Sequence, residues 1–381
     1  MTLNQIDPDT FLDFLLKKKI NFFTGVPDSL LKHFCSSVQS NKEIIHQSAA
    51  NEGSALALAI GSYLATNRLP CVYLQNSGLG NLVNPLLSLA SKDVYSIPCL
   101  LIIGWRGEIL ENGEQIIDEP QHKHQGKATL PLLKALNIEY KVISSETIAW
   151  QEDIDSLINM TIESSKPVAL LVRKNTFSEN KIIPNDKIYP YPTREEALKT
   201  ILNLVNPSIP IFSTTGMCSR ELYELRQAIS SQVSDFLCIG GMGHISNIAC
   251  GFLLNSKHNK AICLDGDGSV IMHMGSLFRS SQVKGLIHIM FNNSSHDSVG
   301  GQPTNAFDID FEKLTMSLGY KKYFKTTSIS DIKDVLSKLP DSGSCFIEIR
   351  ISKGSRKDLG RPNTTPIMTK TNFMTQWSNN A

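Results

Sequence analysis

Along nearly its whole length the chain alternates apolar runs of strand length with stretches whose apolar residues recur at the helical period. The runs at 21–26, 44–48, 71–76, 99–105, 140–143 and 168–173 read as strands, with helical patterns between them, for example over 52–65 and 145–165. Apolar strands separated by helix-length segments pair in parallel, because a parallel neighbour needs a long crossover and both sheet faces need covering. The alternation therefore predicts parallel sheets with helices on both faces. A polar segment marked by Pro184, Pro190 and Pro192 interrupts it. The rhythm then restarts with a helix near 194–204 and strand candidates at 209–213, 236–239, 261–264, 286–291, 322–326 and 345–351. The expected organisation is two doubly wound α/β domains, 1–174 and 193–381, joined by a linker over 175–192.

A length of 381 residues suits two such domains. The balance of 37 basic and 36 acidic residues shows none of the basic excess that binding a nucleic-acid backbone usually demands. The longest strongly apolar run, near 97–105, is about half of what a membrane-spanning helix needs. Lys17, Lys18 and Lys19 follow the apolar 11–16 segment, the reverse of a secretory signal. None of the eight cysteines forms a CxxC pair, and most lie in apolar segments, so reduced, buried thiols are expected. A cytoplasmic protein without a nucleic-acid or membrane partner is the expectation.

In open α/β sheets, ligands sit beyond the carboxyl ends of the strands. One such end carries Leu264-Asp265-Gly266-Asp267-Gly268-Ser269, where glycines let backbone N–H groups approach a phosphate at the start of a helix. Asn292-Asn293 closes the next apolar run after 23 intervening residues. Adjacent parallel strands would bring Asp267 and Asn293 together. A carboxylate, an amide oxygen, a backbone carbonyl and phosphate oxygens make a hard oxygen shell suited to Mg2+.

This pair resembles the diphosphate-binding signature of the thiamine diphosphate enzymes, a GDG followed by NN. The resemblance implies Asp267, Asn293 and the Ser295 carbonyl as metal ligands. It implies Gly266, Gly268 and Ser269 at the phosphates, with Gly216 also at the cofactor. Those enzymes carry a glutamate after the second strand of their pyrimidine domain, to exchange a proton with the aminopyrimidine ring. Glu52, in Ala50-Asn51-Glu52-Gly53, stands there. Taken alone, a glutamate in the first turn of a helix is most often a partner for the helix dipole. Gly240-Gly241-Met242-Gly243 matches the context of the bulky residue that bends the cofactor, which nominates Met242 as wedge and the Gly240 carbonyl as partner of the pyrimidine amine. The family shares each cofactor between two subunits, so a homo-oligomer of at least two subunits is implied.

The chain is too short for the central domain of many thiamine diphosphate decarboxylases. Several of its strings resemble the phosphonopyruvate decarboxylase family, among them Gly25-Val26-Pro27-Asp28-Ser29, Gln75-Asn76-Ser77-Gly78-Leu79-Gly80-Asn81, Gly104-Trp105-Arg106-Gly107-Glu108 and Asp118-Glu119-Pro120-Gln121-His122. His296-Asp297-Ser298-Val299-Gly300-Gly301-Gln302-Pro303-Thr304 and the basic 353–362 stretch belong with them. The 106–118 loop is longer than the family leads one to expect. The resemblance implies decarboxylation of 3-phosphonopyruvate to phosphonoacetaldehyde and CO2 in phosphonate biosynthesis. Sulfopyruvate or another 2-oxo acid, or a carboligase reaction, are the alternatives. Glu52, His296 and Asp28 are expected at the chemistry. A doubly anionic substrate calls for cations and polar groups. Ser29, Arg106, His122, Gln302, Arg356, Lys357 and Arg361 are the candidates, and the 353–361 cluster could fold over the site as a lid.

Overall fold

The structure is a computed structural model that describes residues 5–180, 189–340 and 342–378. Residues 181–188 of the expected linker lie outside the described ones. The chain divides into two compact units, Met1–Asn185 and Asp186–Ala381. Each is built on a six-stranded, wholly parallel sheet.

The first sheet holds β1 (Phe22–Gly25), β2 (Ile45–Ser48), β3 (Cys71–Gln75), β4 (Leu100–Gly104), β5 (Glu139–Ile143) and β6 (Val168–Val172), in the order β2-β1-β3-β4-β6-β5. Sequence and position agree strand by strand. Leu100–Gly104 and Val168–Val172 are apolar throughout and buried at every residue, as central strands must be. The edge strands β2 and β5 carry His46, Gln47, Glu139 and Lys141, and are partly exposed. Successive residues of β3 feed opposite cores. Cys71 and Tyr73 join the cluster around Phe11, Phe23 and Phe34, while Val72 and Leu74 join the one around Leu82, Leu101 and Trp105.

The second sheet holds β7 (Ile211–Ser213), β8 (Phe236–Leu237), β9 (Ala261–Gly266), β10 (Leu286–Asn292), β11 (Lys322–Thr326) and β12 (Cys345–Arg350). Its order, read from β8, is β8-β7-β9-β10-β12-β11, the same winding as the first sheet. In both, the chain leaves the first strand of the unit in one direction and returns on its other side. That reversal opens a crevice beyond the strand ends, at β1/β3 and at β7/β9.

All twelve expected strands are present, with ends shifted by up to two residues. The helix expected over 145–165 starts later, at Trp150. Ser144 N–H donates to Thr147 Oγ1 at 2.9 Å and Glu146 N–H to Ser144 Oγ at 3.2 Å, so these side chains hold a turn that competes with the helix. The helix Arg194–Leu204 starts where expected because Thr193 and Glu196 form a reciprocal capping box. Among the described residues, no helix is long and apolar enough to cross a membrane. All eight cysteines are free thiols.

Candidate functional site

In the first unit the polar residues flagged by sequence follow the carboxyl ends of β1, β2 and β4. Glu52 opens the helix Glu52–Thr66 immediately after β2, and Asn51 caps that helix by accepting from Ser54 N–H at 2.9 Å. Glu52 is only 5% exposed, and its Oε2 accepts from Asn81 Nδ2 at 2.7 Å. Burial pushes its carboxyl above the usual range, and the Asn81 hydrogen bond offsets only part of this. The backbone of Gly78 passes directly against the carboxyl group.

Asp28 is fully buried. It accepts from Gln75 Nε2 at 2.5 Å and from Leu30 N–H at 2.9 Å, and burial raises its pKa in spite of them. A Cβ on Gly104 would stand 2.0 Å from its Oδ2, so glycine at the end of β4 makes room for the carboxylate. Ser29 Oγ accepts from Arg106 Nη1 at 3.0 Å. Arg106 also grips Asp118 through Nε at 2.7 Å and Nη2 at 2.5 Å. Burial works against the Asp118 charge, but the hydrogen bonds from Arg106 and Glu119 N–H prevail and hold its carboxyl well below the usual range. This pair clasps the two ends of the 106–118 loop. Between them Leu110 N–H donates to Glu114 O at 2.8 Å and Ile116 N–H to Glu108 O at 3.0 Å, forming a small hairpin. His122 is buried in the first turn of Pro120–Ala135 beside Gln125, at 3.0 Å, and burial lowers its pKa.

In the second unit, β9 and β10 are neighbours with Gly266 opposite Phe291. Asp267 and Asn293 therefore follow the ends of adjacent strands, and both line a cleft of about 100 Å³. Thr214, Met242, Gly268 and Ser269 line it too. Ser269 Oγ lies 3.2 Å from Thr214 Oγ1 and accepts from Gly243 N–H at 3.0 Å. Gly216 has φ +92°, and a Cβ there would meet Ser298 Oγ at 2.6 Å. At Gly268 the His296 ring would lie 2.8 Å from a Cβ. Met242 is half-buried, and the Gly240 carbonyl accepts from Cys238 Sγ at 2.8 Å. Burial lowers the His296 pKa to about 4.

The donor set fits a divalent cation. Asp267 is 3% exposed, and its carboxyl is pushed up to about 7, chiefly by burial. Hydrogen bonds from the Thr304 hydroxyl and Gly268 N–H oppose that rise without cancelling it. The Asn293 amide and Ser295 are buried alongside, and Ser295 Oγ has no hydrogen-bond partner. A carboxylate in such a place gains from a hard cation. The two asparagines differ in role. Asn292 is bound into the sheet through Nδ2 to Glu348 Oε1 at 2.8 Å, whereas Asn293 turns into the cleft. Cys263, Asp265 and His288 form a buried cluster of ligand-type side chains behind the cleft, which Asp265 also lines. There His288 is held between Tyr320 Oη at 3.0 Å and Asp265 at 3.4 Å.

The other substrate candidates lie elsewhere in the second unit. Gln302 is buried, with Oε1 lacking a hydrogen-bond partner. Arg356 is engaged by three carboxylates, Glu195, Glu224 and Asp358. Lys357 and Arg361 are exposed. Sequence reasoning assigned no role to Gln75, Asn81, Asp118, Asp297 or Thr304. All five sit inside strings already singled out, so their signal was a polar side chain close to a residue of interest.

Residues 8–129 match the N-terminal TPP binding domain of the thiamine pyrophosphate enzymes, and residues 214–349 match the C-terminal TPP binding domain. Two α/β units with these strand-end sites define a thiamine diphosphate-dependent enzyme. The phosphonopyruvate decarboxylase of Streptomyces viridochromogenes is 32% identical over 360 residues, covering 90% of this chain and 87% of that one. That of Streptomyces hygroscopicus is 31% identical over 360 residues, covering 90% and 86%. The sulfopyruvate decarboxylase of Methanosarcina acetivorans is 24% identical over 354 residues, covering 86% of each. The chain belongs to the phosphonopyruvate decarboxylase family of thiamine diphosphate-dependent decarboxylases.

Proposed function

We propose that this decarboxylase converts 3-phosphonopyruvate to phosphonoacetaldehyde and CO2, using thiamine diphosphate and Mg2+, as a step in phosphonate biosynthesis of the 2-aminoethylphosphonate type. The observation that carries this reading is the 32% identity to a phosphonopyruvate decarboxylase across nine tenths of the chain, against 24% for a sulfopyruvate decarboxylase.

When bound, thiamine diphosphate supplies the electron sink that lets CO2 leave. Residues 1–174 hold its pyrimidine, 193–381 its diphosphate. Glu52 keeps a proton beside the aminopyrimidine, a role suited to a carboxyl whose pKa burial has raised. Asp267, the Asn293 amide oxygen and the Ser295 carbonyl hold Mg2+. Gly216, Gly266, Gly268 and Ser269 border the diphosphate, and Met242 and the Gly240 carbonyl set the cofactor's bend. Arg106 and Ser29 meet an anionic end of the substrate, with Asp28 and His296 as proton carriers and His122, Gln302, Lys357 and Arg361 at the approach, while Arg356, held by Glu195, Glu224 and Asp358, anchors the basic segment. The active form contains at least two subunits, each completing the other's site. Leu64, 72% exposed on the helix that begins with Glu52, supports an apolar contact for a second copy. Eight free thiols support a cytoplasmic setting.

The test follows CO2 and phosphonoacetaldehyde from the purified protein with thiamine diphosphate, Mg2+ and phosphonopyruvate. Sulfopyruvate, pyruvate and an added acceptor aldehyde run in parallel, together with a chelator-treated sample. Turnover of phosphonopyruvate that the chelator removes and Mg2+ restores is expected. Preferred turnover of sulfopyruvate, or acyloin as the main product, would overturn the substrate assignment.

A further inference from the structure

Asp297 lines the same cleft as Asp267 and Asn293 and sits at a junction of three segments. Its Oδ2 accepts from Asn293 Nδ2 at 2.6 Å and from Gly354 N–H at 2.8 Å. Arg194 Nη1 lies 3.8 Å from the same oxygen. Arg194 is buried and is itself held by Glu221 through Nε at 2.7 Å and Nη2 at 3.0 Å. One carboxylate oxygen thus ties together the loop after β10, the basic segment after β12 and the helix Arg194–Leu204.

The consequence for Asn293 is directional. Its amide has a donor end and an acceptor end, and only the acceptor end suits a cation. Giving the NH2 to Asp297 commits Oδ1 to the other side, where Ser295 N–H donates to it at 3.0 Å. The consequence for the basic segment is positional. Gly354 has φ +91°, a conformation open to glycine, and its N–H reaches Asp297 from there. Further along, Arg356 and Gly360 N–H are held by Glu224, so the segment is pinned at both ends.

We propose that Asp297 is a positioning residue that couples the orientation of the Asn293 amide to the seating of the 353–361 segment. Filling the cofactor site then tightens that segment, and a seated segment favours the filled site, as reciprocal linkage requires. The inference rests on the reading of Asn293 as a metal ligand given above.

The experiment combines cofactor binding with hydrogen exchange on the full-length protein. Thiamine diphosphate with Mg2+ is titrated into wild type, Asp297→Ala and Asp297→Asn by calorimetry, and exchange is followed in peptides spanning 351–361. Wild type is expected to gain protection in those peptides on loading. Asp297→Ala is expected to raise the cofactor Kd by about 10-fold, within the usual range of coupling between sites, and to uncouple the peptide protection from loading. Asp297→Asn keeps an acceptor oxygen for both N–H groups and is expected to fall between the two. Unchanged Kd in Asp297→Ala would overturn the proposal, as would wild-type protection that does not respond to loading. The latter also decides the matter if the alanine variant fails to fold. Wild-type protein that binds no thiamine diphosphate would instead overturn the reading beneath it.

Discussion

A Cβ placed on Gly78 would stand 2.1 Å from Oε1 of Glu52 and 2.4 Å from its carboxyl carbon. No side chain fits there while Glu52 keeps its rotamer, so the glycine that follows β3 shapes the space around the acid that follows β2. Gly78→Ala should push the carboxyl out of place and lower kcat by about 100-fold, the lower end of what general acid–base groups contribute. The fold should survive, since the helix Glu52–Thr66 can yield locally. Kcat measured beside a thermal melt checks this. Wild-type kcat in a folded Gly78→Ala protein would contradict it.

Glu52→Gln keeps the shape and an acceptor for Asn81 but cannot carry a proton. Turnover should drop by about 100-fold or more, with cofactor binding largely retained. Its pH dependence is equally definite. The folded-state pKa of Glu52 is raised above its usual 4.5 by burial, so the native state binds more protons than the unfolded state just above that value. This contribution to stability is present at low pH and is lost as pH rises through the folded pKa. The glutamine variant loses nothing there. Its melting temperature relative to wild type should therefore increase from pH 4 towards neutrality, and a constant difference would count against a buried, proton-holding Glu52.

Arg106 and Asp118 share two hydrogen bonds, at 2.7 and 2.5 Å, that close the 106–118 hairpin beside Ser29. A lysine cannot reproduce that fork. Arg106→Lys should raise KM for the 2-oxo acid more than it lowers kcat, and cost about 1.5–3 kcal/mol of stability, the worth of hydrogen bonds to charged groups. Asp118→Asn should move both quantities in the same direction. The double variant should show less than the sum, because the two residues act as one unit. Additive effects in that cycle would mean the clasp is unimportant.

Leu64 is 72% exposed on the helix that carries Glu52, and Leu58 on the same helix is 43% exposed. Sedimentation of the wild-type protein should show a species of at least two subunits at micromolar concentration. Leu64→Glu should shift it towards the monomer and lose activity in parallel with dissociation. A wild-type monomer with full activity would refute a shared site.

The strand pattern was readable from sequence because central strands such as Leu100–Gly104 must be apolar along their whole length when both faces are covered. The proximity of Asp267 and Asn293 was readable because they close consecutive apolar runs, and those two strands are neighbours in the sheet. What spacing could not show was how charge is compensated. Arg356 reads as a cation awaiting an anionic substrate, yet the fold brings Glu195 and Glu224, from two distant helices, against it. Arg106 likewise meets Asp118 only once the loop has folded into a hairpin. Such pairings depend on tertiary placement, and a linear pattern carries no trace of them. The late start of the helix at Trp150 has a local cause, Ser144 and Thr147 side chains binding the backbone, which helical periodicity does not register.

The two sheets share one winding order, and each unit has hydrophobic clusters of its own. Each unit is thus organised around a core of its own residues. The peptide bonds between them therefore matter less for folding than for stoichiometry. They deliver an N-terminal and a C-terminal TPP binding domain in a fixed ratio of one to one, whatever the rate of synthesis.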